Sequence, residues 1–443
     1  MNERFLLAFY GDDFTGSTDA MEALDRFGLQ TILFLEPPSE EMLNRFQNVQ
    51  CIGVAGTARA KNKNGMREEL VPVFEKFKEI NPYFVHYKVC STFDSSPEIG
   101  SIGYASDLAR NYFKDGTYPL LVAAPDLGRY TVFGNHFANF HGEVYRLDKH
   151  PVMSKHPVTP MDEADLGSHL QKQTDQSIGY LSILDLESDL DYTDFASDAK
   201  DITVFDASEE KHLERFAQWN WEHKSDSSRF LVGSSGIEYA FGTKWLKEGI
   251  SQRKEKAHQP KEVDRMLVVS GSVSDVTKRQ LDEAEQAGFF MEQLPYELLI
   301  EDAIPETYLE RIIELLESEK KVVLYTARGT EDPVIKATKD LLTKKIGEKD
   351  MGTHIGQQLG RWTKYILENT SLQRVVISGG DTSGFVTSQL GIYGLEVLKS
   401  VAPGAPLCLA HAEDKRFDKM EIALKGGQLG GENFFENVFN VGR

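Results

Sequence analysis

The chain has 443 residues, 40% hydrophobic and 27% charged, with 69 acidic against 49 basic side chains and a formal net charge of -20. That length exceeds what one core usually holds and predicts two domains, while 26 Phe and 16 Tyr exclude a disordered chain. The acidic balance argues against DNA, RNA or an anionic membrane as partner, because neutralising phosphate needs the opposite sign.

Short apolar runs with few alternating polar residues predict buried parallel strands at Phe5–Tyr10, Thr31–Leu35, Cys51–Ala55, Tyr83–Tyr87, Leu120–Ala124, Gly179–Leu184, Ile202–Phe205 and Phe230–Val232. Amphipathic stretches between them predict helices over Ser17–Phe27, Met66–Ile80, Ile99–Tyr112, Glu209–His223 and Ile237–Glu248, with Gly28 closing the first. Such alternation predicts an α/β fold with a doubly wound, largely parallel sheet. Gly249–Arg265 breaks the pattern with a polar, charge-dense stretch. It predicts a linker at 251–264 between a domain over 1–250 and another over 265–443. A second βα series follows, with strands at Met266–Ser270, Lys321–Thr326, Arg374–Ile377 and Pro406–Ala410, a helix over Asp275–Gly288 and two successive helices within Asp340–Asn369.

The first strand runs into GDDFTGSTDA, Gly11–Ala20. Ligands of open parallel sheets sit at the carboxyl ends of strands. Adjacent ionised acids repel, so Asp12 and Asp13 point to a held cation or polar ligand, with Thr15, Ser17 and Thr18 supplying hydroxyls. The alternative is that one Asp caps the following helix and the other is solvated. The fourth strand leads into HYKVCSTFDSSPEIGSIG, where Lys88 stands on an apolar strand beside Ser91, Thr92, Asp94 and Ser95. A cation there, against an acidic background, suits capture of a carboxylate or phosphate. Arg129 after Gly128 is a second candidate anion clamp.

Cys51, Cys90 and Cys408 are odd in number, far apart and without a CxxC spacing, which predicts a reducing, cytoplasmic setting. No basic and apolar leader opens the chain and no apolar run reaches ~18 residues. Cys90 lacks a positioned His and reads as a packed side chain, and His136 and His141 match no metal-ligand spacing. The second half offers glycine-rich strand ends instead: VVSGSVSDVTKRQ (Val268–Gln280), VVISGGDTSG (Val375–Gly384) and LKGGQLGG (Leu424–Gly431). Backbone N–H groups and a helix N-terminus can approach phosphate closely at such turns. Three of them point to nucleotide binding, while the absence of a Walker A or G-x-G-x-x-G pattern argues against a P-loop or standard Rossmann protein.

In order along nearly the whole chain, DDFTGS (Asp12–Ser17), YK–ST (Tyr87–Thr92), GR (Gly128–Arg129), SGS (Ser270–Ser272), GGDTS (Gly379–Ser383) and LKGG (Leu424–Gly427) resemble the motifs of the four-carbon acid sugar kinase family. The resemblance implies a sugar-acid-binding N-terminal domain, an ATP-binding C-terminal domain and an active site in the cleft between them. It implies phosphorylation of threonate, erythronate, their 3-oxo forms or branched relatives. YKVCSTFDSSP departs from the YKxDSTxRGN-like block of the better-known tetronate kinases, with Cys90 in place of Asp and Phe93-Asp94-Ser95 in place of the Arg-containing run. KGGQLG stands where they carry a KSGNFG-like run.

On this reading Ser270, Gly271, Ser272, Ser274, Gly379, Gly380, Asp381, Thr382, Ser383, Gly426 and Gly427 hold ATP, with Asp381 near a Mg²⁺ ion. Thr15, Lys88, Ser91, Thr92 and Arg129 bind the acid, and Asp12 or Asp13 takes the proton of the attacking hydroxyl. The expected partners are a small sugar acid and ATP, with neither nucleic acid nor membrane, and a homodimer is the default assembly. Competing readings are a sugar-acid enzyme that turns over without ATP and a secreted interaction protein.

Overall fold

Runs of Val, Ile, Leu and Phe with both faces buried dictate the strands. The computed structural model describes residues 4–114, 116–188, 200–252, 258–345 and 351–443. The chain divides into two units, Met1–Lys254 and Glu255–Arg443. In the first, β1 (Leu7–Gly11), β2 (Thr31–Phe34), β3 (Cys51–Ala55), β4 (Phe84–Lys88) and β5 (Tyr118–Leu121) alternate with helices such as Phe14–Arg26 and Lys63–Ile80. Next come β6 (Arg129–Val132), β7 (Asn135–Phe140) and β8 (Glu143–Arg146), then β9 (Ile178–Leu181), β10 (Ile202–Phe205) and β11 (Arg229–Gly233). The main sheet has the order β2-β3-β1-β4-β11-β5-β10-β9, and each of these pairs is parallel.

The small antiparallel sheet β6-β7-β8 was not foreseen. Asp206 pins it: its carboxylate accepts the backbone N–H groups of Phe133 and Gly134 at the β6–β7 turn. The predicted strand at Gly179–Leu184 stops at Leu181, because Ser182 caps a short helix, Ile183–Glu187, with a reciprocal Ser182–Asp185 capping box. Gly28 does close the first helix, in the left-handed region at φ 77°.

The second unit holds β12 (Met266–Ser270), β13 (Phe290–Gln293), β14 (Lys321–Tyr325), β15 (Arg374–Ser378), β16 (Ile392–Ala402), β17 (Ala405–Ala412) and β18 (Glu421–Lys425). The order is β13-β14-β12-β15-β18-β17-β16, parallel as far as β18 and antiparallel across β17 and β16. Two helices do follow one another, Pro333–Lys345 and Met351–Glu368, but the first begins before the stretch at 340–369 read as helical, and 346–350 lie outside the described residues.

Of the stretch read as a linker, 253–257 lie outside the described residues. Lys261 and Val263 are packed: Val263 belongs to the second unit's core, and the Lys261 backbone bonds Glu421 and Arg374. The fully buried Arg374 guanidinium also binds the Glu421 carboxylate and the carbonyls of Val438, Phe439 and Val441. Among the described residues no helix is long and apolar enough to cross a membrane.

Candidate functional site

The parallel register sets Gly11, Ala55 and Lys88 side by side, so the segments leaving β1, β3 and β4 emerge together. Asp12 and Asp13 leave β1, Arg59 lies in the turn after β3, and the Cys90–Ser95 loop follows β4. The two aspartates, alike in sequence, differ in surroundings. Asp13 is the N-cap of the helix Phe14–Arg26: its Oδ1 accepts the Gly16 N–H at 2.8 Å, and its Oδ2 is ion-paired with Arg59. Both oxygens are therefore engaged. Asp12 is 2% exposed and its Oδ1 has no hydrogen-bond partner. Burial pushes its carboxyl up to about 6, opposed by the charges of Arg59 and Lys88 and assisted by Asp94.

Arg59 was missed from sequence. Burial works against its charge, yet Asp12, Cys90 and Asp94 around it more than offset that and hold its pKa above the ordinary value. Gly100, at φ 61°, lets its strand of chain close on Arg59: a Cβ there would stand 2.5 Å from the Arg59 carbonyl oxygen. Gly16 does the same for the ion cluster, since a Cβ would stand 2.6 Å from Lys88 Nζ.

Lys88 is 3% exposed and faces Asp19 of the same helix at 3.6 Å. Thr92 donates to Asp94 Oδ1 at 2.6 Å, and Cys90 Sγ lies 3.0 Å from Thr92 Oγ1. The loop turns at Phe93 with φ 55°, an uncommon conformation for an aromatic residue. Burial raises the Cys90 thiol above its usual range, with Asp94 adding to it, which disfavours the nucleophilic thiolate. Ser91 enters through its carbonyl, which accepts from His136 Nε2 at 2.8 Å. His136 also bonds Thr131, and burial pulls its pKa down to about 4, so it is a neutral strut between β7 and this loop. Thr15 lies half-buried in the helix's first turn.

Arg129 heads β6, held by the carbonyls of Leu127, Gly128 and Asn139, with a buried Nε that has no partner. Burial lowers its pKa and Cys90 opposes this, which places its guanidinium within the field of the Cys90 loop. Lys88, Ser91, Thr92 and Arg129 thus share one neighbourhood with Asp12 and Asp13.

In the second unit, β12, β15 and β18 are adjacent and end in one row: Ser270, Ser378 and Lys425 are register partners. The three glycine-rich loops therefore leave the sheet together. Ser274 caps the helix Asp275–Gln286 and its hydroxyl donates to the Gly427 carbonyl, while Thr277 Oγ1 lies 3.0 Å from that oxygen and 2.9 Å from Ser272 Oγ. Gly271 N–H bonds Ser378 O, and Gly379 N–H bonds Lys425 O. Gly379 has φ 128°, which a side chain could not adopt without strain. Beyond it Gly380–Gln389 is helical, with Asp381 exposed in its first turn and Thr382 and Ser383 buried. Lys425, also missed, reaches Ser378 Oγ at 2.9 Å and Thr277 Oγ1 at 3.2 Å. Among the described residues no group of three or more His, Cys, Asp or Glu side chains stands together as a metal centre.

Two family models match this chain: a sugar-binding N-terminal domain over residues 7–241 and a nucleotide-binding C-terminal domain over 267–435. A protein of Paraburkholderia graminis named 3-oxo-isoapionate kinase is 39% identical across 98% of this chain and 94% of its own. A Haemophilus influenzae protein named 3-oxo-tetronate kinase is 27% identical across 97% and 98%. A crystal structure from Salmonella typhimurium LT2 shares the fold with a TM-score of 0.80 at 22% identity, covering 98% of both chains.

Proposed function

Because the chain belongs to the four-carbon acid sugar kinase family and is a sugar-acid kinase, we propose that it transfers the γ-phosphoryl group of ATP to a hydroxyl of a short, branched 3-oxo sugar acid. The branched class is favoured over the linear one by the 39% identity to the 3-oxo-isoapionate kinase against 27% to the 3-oxo-tetronate kinase. The observation that carries the mechanism is the unpartnered, buried Oδ1 of Asp12, on a carboxyl poised at about 6. A general base works best with a pKa near the operating pH. Asp12 is thus the group that orients the acceptor hydroxyl and takes its proton. Asp13, its oxygens taken by Gly16 and Arg59, shapes the site.

Lys88 and Arg129 bind the carboxylate of the acid; Arg129 has a donor without a partner and Lys88 only a distant one. Thr15, Ser91 and Thr92 line the same site. The loops at Ser270–Ser274, Gly379–Ser383 and Gly426–Gly427 fit ATP phosphates, since they bring backbone N–H groups and hydroxyls to one row of strand ends. Asp381 fits a Mg²⁺ ion carried mainly on phosphate oxygens, which takes one or two carboxylates from protein. Such an ion neutralises charge on the transferring group. Part of the same proposal are a domain boundary at 251–264, a cytoplasmic setting and a homodimer, the last read by light scattering.

The test is ADP release with Mg-ATP across threonate, erythronate, their 3-oxo forms and the branched apionate series. Turnover is expected to be highest with a branched 3-oxo acid. A linear acid as the best substrate would overturn the substrate class, and silence throughout without ATP binding would overturn the whole reading.

A further inference from the structure

Lys425 is a buried amine that the transfer chemistry above leaves unused. It is 1% exposed, and the two partners of its Nζ, Ser378 and Thr277, are neutral hydroxyls. A buried ammonium normally needs a carboxylate, because desolvation alone disfavours its charge. The charged residues on the elements around it are Asp275, Lys278, Arg279, Asp282, Glu283 and Glu285 of the helix after β12, Asp381 after β15, and Arg374 and Glu421 at the opposite ends of β15 and β18. None offsets the burial, which alone brings Lys425 down to about 7. In the same row Ser270 Oγ is buried without a partner. The cradle thus holds an amine without an anionic partner beside a hydroxyl short of a hydrogen bond.

We propose that Lys425 is a positioning residue that becomes charged when an anionic nucleotide phosphate enters the cradle, so that nucleotide binding takes up a proton. This rests on the nucleotide reading of the second unit given above. A charged Lys425 donates to both hydroxyls, and a hydroxyl that accepts from it must send its single proton onward. For Thr277 the onward direction is the loop edge formed by Ser272 and Gly427. A neutral amine can instead accept from one hydroxyl and turn that proton inward. The charge state of Lys425 therefore sets whether these hydroxyls face an incoming anion as donors. An anion nearby favours the ammonium form in return.

Linkage fixes the sign: the bound state holds the proton more tightly, so affinity is greatest at low pH and falls as pH rises through about 7. The experiment is calorimetric titration of the full chain with ADP, without metal, at pH 8 in two buffers of different ionisation enthalpy, then from pH 7 to 9 in one buffer. The terminal phosphate of ADP is largely ionised over this range, as its second pKa lies near ~6. Close to one proton should be taken up per ADP, with affinity falling by up to about tenfold per pH unit. Lys425→Met should lose the uptake and bind more weakly, and Lys425→Arg should lose it while staying flat with pH. ADP binding by the wild-type chain without proton uptake would overturn the proposal, as would equal uptake in Lys425→Arg. A wild-type chain that fails to bind ADP at all would overturn the nucleotide reading beneath it.

Discussion

Both units gather their polar groups where adjacent parallel strands end, β1, β3 and β4 in one and β12, β15 and β18 in the other. The N-terminal ends are crowded with charge of both signs: Asp12, Asp13, Asp94, Arg59 and Lys88. The strand ends of the second unit carry glycines, hydroxyls and one buried amine, with the Asp381 carboxylate out at the exposed edge. On the proposed mechanism the difference follows from two tasks. Removing a proton needs a carboxylate tuned by nearby cations, and holding polyphosphate needs N–H and O–H donors without fixed negative charge close by. One sheet architecture serves both, because only the residues just past each strand differ.

The sharpest way to break this contrast is Asp12→Asn, which should lower kcat by about 10²–10⁴-fold while ADP affinity, measured by calorimetry, stays unchanged. Retained kcat would move the base elsewhere. The same variant sharpens the contrast through stability. The Asp12 carboxyl has its pKa raised from 3.8 to about 6 in the folded chain, so folding loses free energy as pH rises between those values. The cost at pH 7 is on the order of 2–3 kcal/mol, so Asp12→Asn should melt at higher temperature at pH 7, an advantage that shrinks below pH 6 and is gone below about 4.

Arg59→Met should shift the acid limb of the kcat/KM profile upward from about 6, because the guanidinium is the foremost charge lowering the Asp12 pKa. An unmoved limb would remove Arg59 from the site. The smallest effect is expected from Gly427→Ala, whose Cβ would stand 2.6 Å from Ser272 Oγ. A hydroxyl can rotate away, so a loss of about 1 kcal/mol in ADP affinity is expected, with binding of the sugar acid untouched.

The central strands were legible because buried parallel strands are written as unbroken apolar runs, and Leu7–Gly11, Cys51–Ala55 and Met266–Ser270 are of that kind. The motifs were legible because they sit just past such runs. Arg59 was not, since GTARA looks like any turn until β3 is known to lie beside β1, and strand order is a long-range property. Lys425 stood inside the LKGG motif without an assigned role, because nothing in the sequence marks a lysine at a strand end as buried. The β6–β8 sheet escaped because its strands are short and mixed in polarity, and its first turn rests on Asp206, far away in sequence. The different surroundings of Asp12 and Asp13 could not be read from DD alone, because they come from neighbours in space.

The Arg374 guanidinium gathers the carbonyls of Lys261, Val438, Phe439 and Val441. Gly442 packs so closely on Lys261 that a Cβ there would stand 2.6 Å from its carbonyl oxygen. Lys261 and the Val438–Gly442 segment are therefore held together by a noncovalent clasp. Two stretches of chain pinned this way lie close enough for a short covalent link to join them without stretching the fold, the geometry that circular permutation requires.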